Sequence, residues 1–162
     1  MSTATAWKTF SIGKKSAVPA GPSRSPSILL IEDDVDLSEV LRLLLESCGH
    51  RVWVAFNGTQ GFDLARDAGP DLILTDIEMP GMHGFDLLRK LRQSEATRRI
   101  PVVLHSGSTD AREKQEGLDL GAAAFLSKPC SLAEMRQTIA CFLQPVSAMS
   151  GHAQFRDLLL SA

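Results

Sequence analysis

Five short apolar runs, each followed by a longer amphipathic stretch, constrain this chain more than any other feature. The runs are 27–31, 51–55, 71–75, 101–105 and 122–126. The stretches after them, 36–47, 58–68, 84–93, 109–120 and 131–143, have the length and patterning of helices. Strand and helix in strict alternation build βαβ units, and these force a parallel sheet with helices on both faces. The runs are apolar throughout, as strands covered on both sides are. The expected fold is therefore α/β, a doubly wound five-stranded parallel sheet with five helices.

Local details agree. Leu37, Val40, Leu41, Leu44 and Leu45 fall at i, i+3, i+4, i+7 and i+8, one face of a helix that Gly49 closes. Leu132, Met135, Ile139 and Phe142 form a similar stripe on the last helix. Ser131 and Glu134 have capping-box spacing at its start. The fourth helix differs, because Arg112, Glu113, Lys114, Gln115, Glu116 and Gly117 leave it little apolar face. Few buried contacts mean low local stability, so it is the candidate mobile element.

Residues 27–143 suffice for one domain of ordinary size. Residues 1–26, broken by Pro19, Gly21, Pro22 and Pro26, read as a disordered leader rather than a docking segment built on Trp7, Phe10 and Ile12. Residues 144–162 read as a short extension, with Pro145 stopping the last helix and Phe155, Leu158 and Leu159 able to dock or self-associate. No apolar stretch nears the ~20 residues that span a bilayer. Nor is there a signal-peptide core, and a cytoplasmic location is expected. Cys48, Cys130 and Cys141 form no CxxC pair and read as small half-buried hydrophobes in a reducing setting. The net charge is −2, with +4 in residues 1–27 and −6 beyond, which gives no support for nucleic-acid binding by the folded part.

The chemistry sits at the ends of the apolar runs. Glu32-Asp33-Asp34 follow the first run, Asp76 the third, Ser106 the fourth, and Lys128 the fifth. Carboxylates of Glu32, Asp33 and Asp76 at one point repel one another, and a bound Mg²⁺ removes that conflict. Asp76 then stays ionised and can act as a nucleophile toward a phosphoryl group. The cation would take one phosphoryl oxygen, Lys128 a second as a compact charge, and the Ser106 hydroxyl a third. Asp34 and Asp36 read as N-terminal charges of the first helix. His50, His83, His105 and His152 lack metal-site spacing and read as surface or internally satisfied histidines.

The segments ILLIEDD, LILTDIEMPGMHG, VVLHSGS and GAAAFLSKP, in this order, resemble the receiver domain of two-component response regulators. Asp76 stands 43 residues after Asp33, 30 before Ser106 and 52 before Lys128, which also matches. The resemblance covers roughly residues 27–143. It implies a flavodoxin-like sheet of order 2-1-3-4-5. It makes Asp76 the phospho-acceptor, with Mg²⁺ held by Asp33, by Asp76, by the main-chain carbonyl of Glu78 and, through water, by Glu32. Ser106 and Lys128 would contact the phosphoryl group, Ser106 and Phe125 would be switch residues, and the Lys128-Pro129 bond would be cis. The implied donor is a phosphohistidine on a sensor histidine kinase or histidine phosphotransfer protein. The implied output is a downstream protein effector, bound at the fourth helix, fifth strand and fifth helix, with phosphorylation-dependent dimerisation as an option. The chain would be no enzyme beyond its own phosphorylation and autodephosphorylation.

Some positions depart from the commonest family pattern. Glu32 replaces Asp, His83 stands where Asp is more frequent, Phe125 replaces Tyr, and Cys130 replaces an apolar aromatic. These changes bear on the output surface rather than on the acceptor chemistry. The expectation is a stand-alone receiver. Its rivals are a phosphorelay shuttle and a receiver detached from a hybrid histidine kinase. An aspartyl-phosphate phosphohydrolase ranks lower, because Glu78 occupies the place of its second Asp. A flavin-binding protein ranks lower still, because the loop after the first run is acidic rather than rich in Gly, Ser and Thr.

Overall fold

The computed structural model describes residues 24–143. The readings made for residues 1–23 and 144–162 lie outside that range. The order is β1 (Ser27–Ile31), α1 (Val35–Ser47), β2 (Arg51–Ala55), α2 (Gly58–Ala68), β3 (Leu72–Asp76), α3 (Gly84–Gln93), β4 (Val102–Ser106), α4 (Ala111–Asp119), β5 (Ala124–Ser127) and α5 (Leu132–Leu143). All pairings are parallel, and the sheet order is β2-β1-β3-β4-β5.

Alternate strand residues feed two cores. Leu29, Ile31, Ile73 and Leu104 pack with Ala65 of α2 and with Leu87, Leu88 and Leu91 of α3. Ile28, Leu30, Leu72, Leu74, Val103 and Leu126 pack with Leu41 and Leu45 of α1 and with Met135 and Ile139 of α5. Helices thus cover both faces, which explains the uniformly apolar central strands. The edge strand β2 departs from that expectation. It is only half-buried over Val52–Val54, and Arg51 is exposed, its guanidinium 5.1 Å from the Trp53 ring centroid.

Several segments shift against the sequence reading. β3 and β4 each run one residue further, so Asp76 and Ser106 are the last residues of their strands, with Asp76 opposite His105. β5 starts only at Ala124, because Ala122 N–H and Ala123 N–H bond to the carbonyls of Gly117 and Val102 as the chain leaves α4. α4 starts at Ala111, because Asp110 is its N-cap and accepts from Arg112 N–H.

Two residues of the expected apolar helix stripes face water instead of the core. Val40 is 55 % exposed, and the α1 face on the sheet is Ser38, Leu41 and Leu45. At 100° per residue, Val40 is turned well away from Leu41. The Ser38 hydroxyl is satisfied by the Val35 carbonyl at 2.8 Å, which makes its burial inexpensive. Leu132, the first residue of α5, is also exposed. The capping box forms as the spacing implies: Ser131 N–H donates to Glu134 Oε2 at 2.8 Å and Glu134 N–H to Ser131 Oγ at 3.2 Å.

Candidate functional site

Strand order places the site. β1 and β3 are neighbours, α1 covers one face of the sheet and α2 and α3 the other, so a crevice opens at the carboxyl ends of β1 and β3. Glu32 and Asp33 leave β1 there, and Asp76 ends β3. Glu32 is 2 % exposed and Asp76 7 %. A carboxylate oxygen from each of Glu32, Asp33 and Asp76 lies within 4.8 Å of the other two.

Asp76, Glu32 and Lys128 are tied to one another at this site. Asp76 Oδ1 accepts from Ile77 N–H at 2.7 Å and from Glu78 N–H at 3.3 Å. Asp76 Oδ2 lies 2.9 Å from Lys128 Nζ, which also donates to Glu32 Oε2 at 2.9 Å. Burial raises the Glu32 carboxyl above its ordinary value, and the Lys128 ammonium only partly offsets this. Burial alone would lower the Lys128 ammonium, but its bonds to Asp76 and Glu32 outweigh that and leave it raised.

The backbone makes this placement rigid. Gly84 N–H bonds to the Ile77 carbonyl at 2.9 Å and folds the β3–α3 loop back beneath the acceptor. A Cβ on Gly84 would stand 2.6 Å from the Asp76 carbonyl oxygen, so only glycine fits there. Glu78 follows in this loop with its side chain exposed. His83 caps α3, its Nδ1 accepting from Phe85 N–H at 3.4 Å. The Lys128-Pro129 bond is cis, and Lys128 N–H bonds to the Ser106 carbonyl at 2.6 Å.

Ser106 and Phe125 lie outside the carboxylate cluster. The Ser106 hydroxyl donates to Glu113 Oε1 of α4 at 2.9 Å and accepts from Ser108 N–H at 3.0 Å. Phe125 is half-buried and packs on the core under α2 and α3.

Sequence reasoning passed over two residues. Glu113 was only one of a run of charges on a weakly apolar helix. Its i+7 relation to Ser106 across a loop carries no periodic signal. His105 has no metal-site spacing in the sequence, which marks it only as a satisfied or surface residue. It is 4 % exposed, with Nε2 3.6 Å from Cys130 Sγ, and burial above all, aided by Lys128, holds its pKa down to about 4 despite Asp76. Strand register pairs His105 with Asp76, a placement that the sequence alone does not carry. His50 departs from its reading too: its buried Nδ1 has no hydrogen-bond partner among the described residues.

The family model for the response regulator receiver domain matches residues 28–140. The chain belongs to the response regulator receiver domain family. As a receiver domain, it is 36 % identical over 117 residues to the uncharacterized transcriptional regulatory protein YkoG of Bacillus subtilis, covering 72 % of this chain and 50 % of YkoG. It is 33 % identical over 134 residues to the DNA-binding dual master transcriptional regulator RpaA of Synechocystis, covering 83 % of this chain and 56 % of RpaA. The chain thus spans about half the length of these curated relatives. Among solved structures, the chemotaxis protein CheY4 of Vibrio cholerae superposes with a TM-score of 0.70 at 26 % identity, covering 74 % of this chain and 99 % of CheY4. The receiver domain of sensor histidine kinase PA1611 from Pseudomonas aeruginosa, at TM-score 0.68 and 28 % identity, covers 73 % of this chain and 97 % of its own. That neighbour carries a magnesium ion coordinated in its active site cleft. The flavodoxin-like order 2-1-3-4-5 expected of a receiver is the order found. Among the described residues, no helix is long and apolar enough to cross a membrane.

Proposed function

We propose that this receiver takes a phosphoryl group on Asp76 from a phosphohistidine of a histidine kinase or histidine phosphotransfer protein, with Mg²⁺ at Glu32, Asp33 and Asp76. The observation that carries the reading is the double engagement of Asp76. Backbone amides hold one carboxylate oxygen while Lys128 holds the other, beside two further carboxylates.

The donor set suits a hard cation. Mg²⁺ takes oxygen ligands, commonly one or two carboxylates plus waters. Asp33 and Asp76 would bind it directly with the Glu78 main-chain carbonyl, and Glu32 through water. When bound, the ion supplies positive charge to a phosphoryl oxygen. In the transfer, an Asp76 oxygen forms a bond to phosphorus and the phosphorus–nitrogen bond of the donor breaks, its electron pair leaving with the imidazole. Charge builds on the equatorial oxygens. Lys128 neutralises one of them, after exchanging its present bond to Asp76 Oδ2 for one to the transferred group. The Ser106 hydroxyl then donates a hydrogen bond to another. Movement of Ser106 and Phe125 would reshape the α4–β5–α5 surface for a downstream protein.

Intact mass after incubation with acetyl phosphate and Mg²⁺ tests this. The expected result is one added phosphoryl group in the wild type, none in Asp76→Asn, and none in EDTA. An equal gain in Asp76→Asn would place the modification elsewhere and overturn the assignment.

A further inference from the structure

The Ser106 hydroxyl has one hydrogen, and it is already committed. It points to Glu113 Oε1 at 2.9 Å, and the oxygen lone pairs receive Ser108 N–H at 3.0 Å. A hydroxyl donates a single hydrogen bond. Ser106 therefore cannot serve Glu113 and a phosphoryl group on Asp76 together. We propose that Glu113 is a latch on the switch: it competes with the phosphoryl group for the Ser106 hydroxyl, and its release frees α4 from β4. This rests on the phospho-acceptor reading of Asp76.

The packing of α4 explains why one hydrogen bond can matter there. Gly117 is the single buried residue of α4. At that point the helix lies so close to β4 that a Cβ on Gly117 would come 2.5 Å from Leu104 Cδ1. Its tie to α3, Arg89 to Glu116 at 3.3 Å, is between exposed side chains and holds little. Glu113 is half-buried in the first turn, so its bond to Ser106 joins the N-terminal turn of α4 to the last residue of β4. A phosphoryl oxygen that captured the Ser106 hydrogen would also bring its own negative charge up to Glu113 across one hydroxyl. Repulsion would then drive the first turn outward, in the same direction as the lost bond.

The test has two arms on the full chain. The first needs neither metal nor phosphoryl donor: hydrogen exchange of the α4 amides in wild type, Glu113→Ala, Ser106→Ala and the double variant. Both single variants should speed exchange, and the double variant should add nothing further, because each single change removes the same bond. Unchanged exchange, or effects that simply add, would show that Glu113 acts only through the helix end and would overturn the latch. The second arm measures affinity for beryllofluoride with Mg²⁺ by fluorine NMR. Glu113→Ala should bind this phosphoryl mimic about ten-fold tighter than wild type, because no bond need be given up first. Glu113→Gln, which keeps an acceptor oxygen without the charge, should fall between them. Equal or weaker binding by Glu113→Ala overturns the latch. No binding by the wild type, with coupled exchange intact, supports the Glu113–Ser106 tie and overturns the acceptor reading instead.

Discussion

Lys128 Nζ lies 2.9 Å from Asp76 Oδ2, and the same ammonium lies 2.9 Å from Glu32 Oε2. One cation from the end of β5 thus offsets acids from the ends of β1 and β3. Its side chain is about one-fifth exposed, so the pairing is only moderately screened. Lys128→Ala leaves the acids facing one another. Metal-free stability should fall by about 2 kcal/mol, read by urea denaturation. Added Mg²⁺ should then restore more stability to this variant than to wild type, seen as a larger rise in Tm.

Asp33 contributes the third acid of the cluster. Its carboxylate oxygen lies within 4.8 Å of two others, and like charges so close are expected to cost stability without a metal ion. Asp33→Asn should therefore raise metal-free stability by roughly 0.5–1 kcal/mol while abolishing most of the Mg²⁺-dependent gain. Thermal melts with and without Mg²⁺ check both halves. A variant less stable than wild type without metal would contradict the repulsion argument.

His105 makes stability depend on pH. Its native pKa is about 4 against 6.5 for the ordinary side chain. Between these values the unfolded chain binds the proton and the native chain does not. Stability is thus full above pH 6.5 and falls as pH drops toward 4, by about 3 kcal/mol in total. Glu32 opposes this: its native carboxyl is raised above 4.5, so it gains stability as pH falls through its own range. His105→Leu should flatten the loss between pH 6.5 and 4 and leave the opposite slope of Glu32 exposed. Denaturation midpoints across that range measure it.

Gly84 lies beneath the acceptor. An added methyl would meet the Asp76 carbonyl oxygen at 2.6 Å and Ile77 Cα at 2.7 Å, both backbone, so nothing flexible can give way. Gly84→Ala should cost about 2–3 kcal/mol and slow phosphorylation by acetyl phosphate. Gly49→Ala is the control. Its φ of +87° strains a side chain, but nothing lies within 4 Å of the added carbon, so only stability should suffer.

The residue pattern alone determined the class of fold, the element sequence and the identities of Asp76, Asp33, Glu32 and Lys128 as a group. Short, uniformly apolar runs against stretches of 3.6-residue periodicity separate strand from helix locally, and βα alternation leaves parallel pairing as the outcome. Residues at strand ends then converge because parallel strands all end on one edge. Tertiary structure decided what depends on rotation and reach. The phase of α1 on the sheet put Ser38 inside and Val40 outside, though both lie near the apolar stripe. Strand register set His105 beside Asp76, and the β4–α4 loop brought Glu113 to Ser106. These are side-chain meetings between elements. They arise from how whole elements pack, and a pattern read along one chain carries no distance between them.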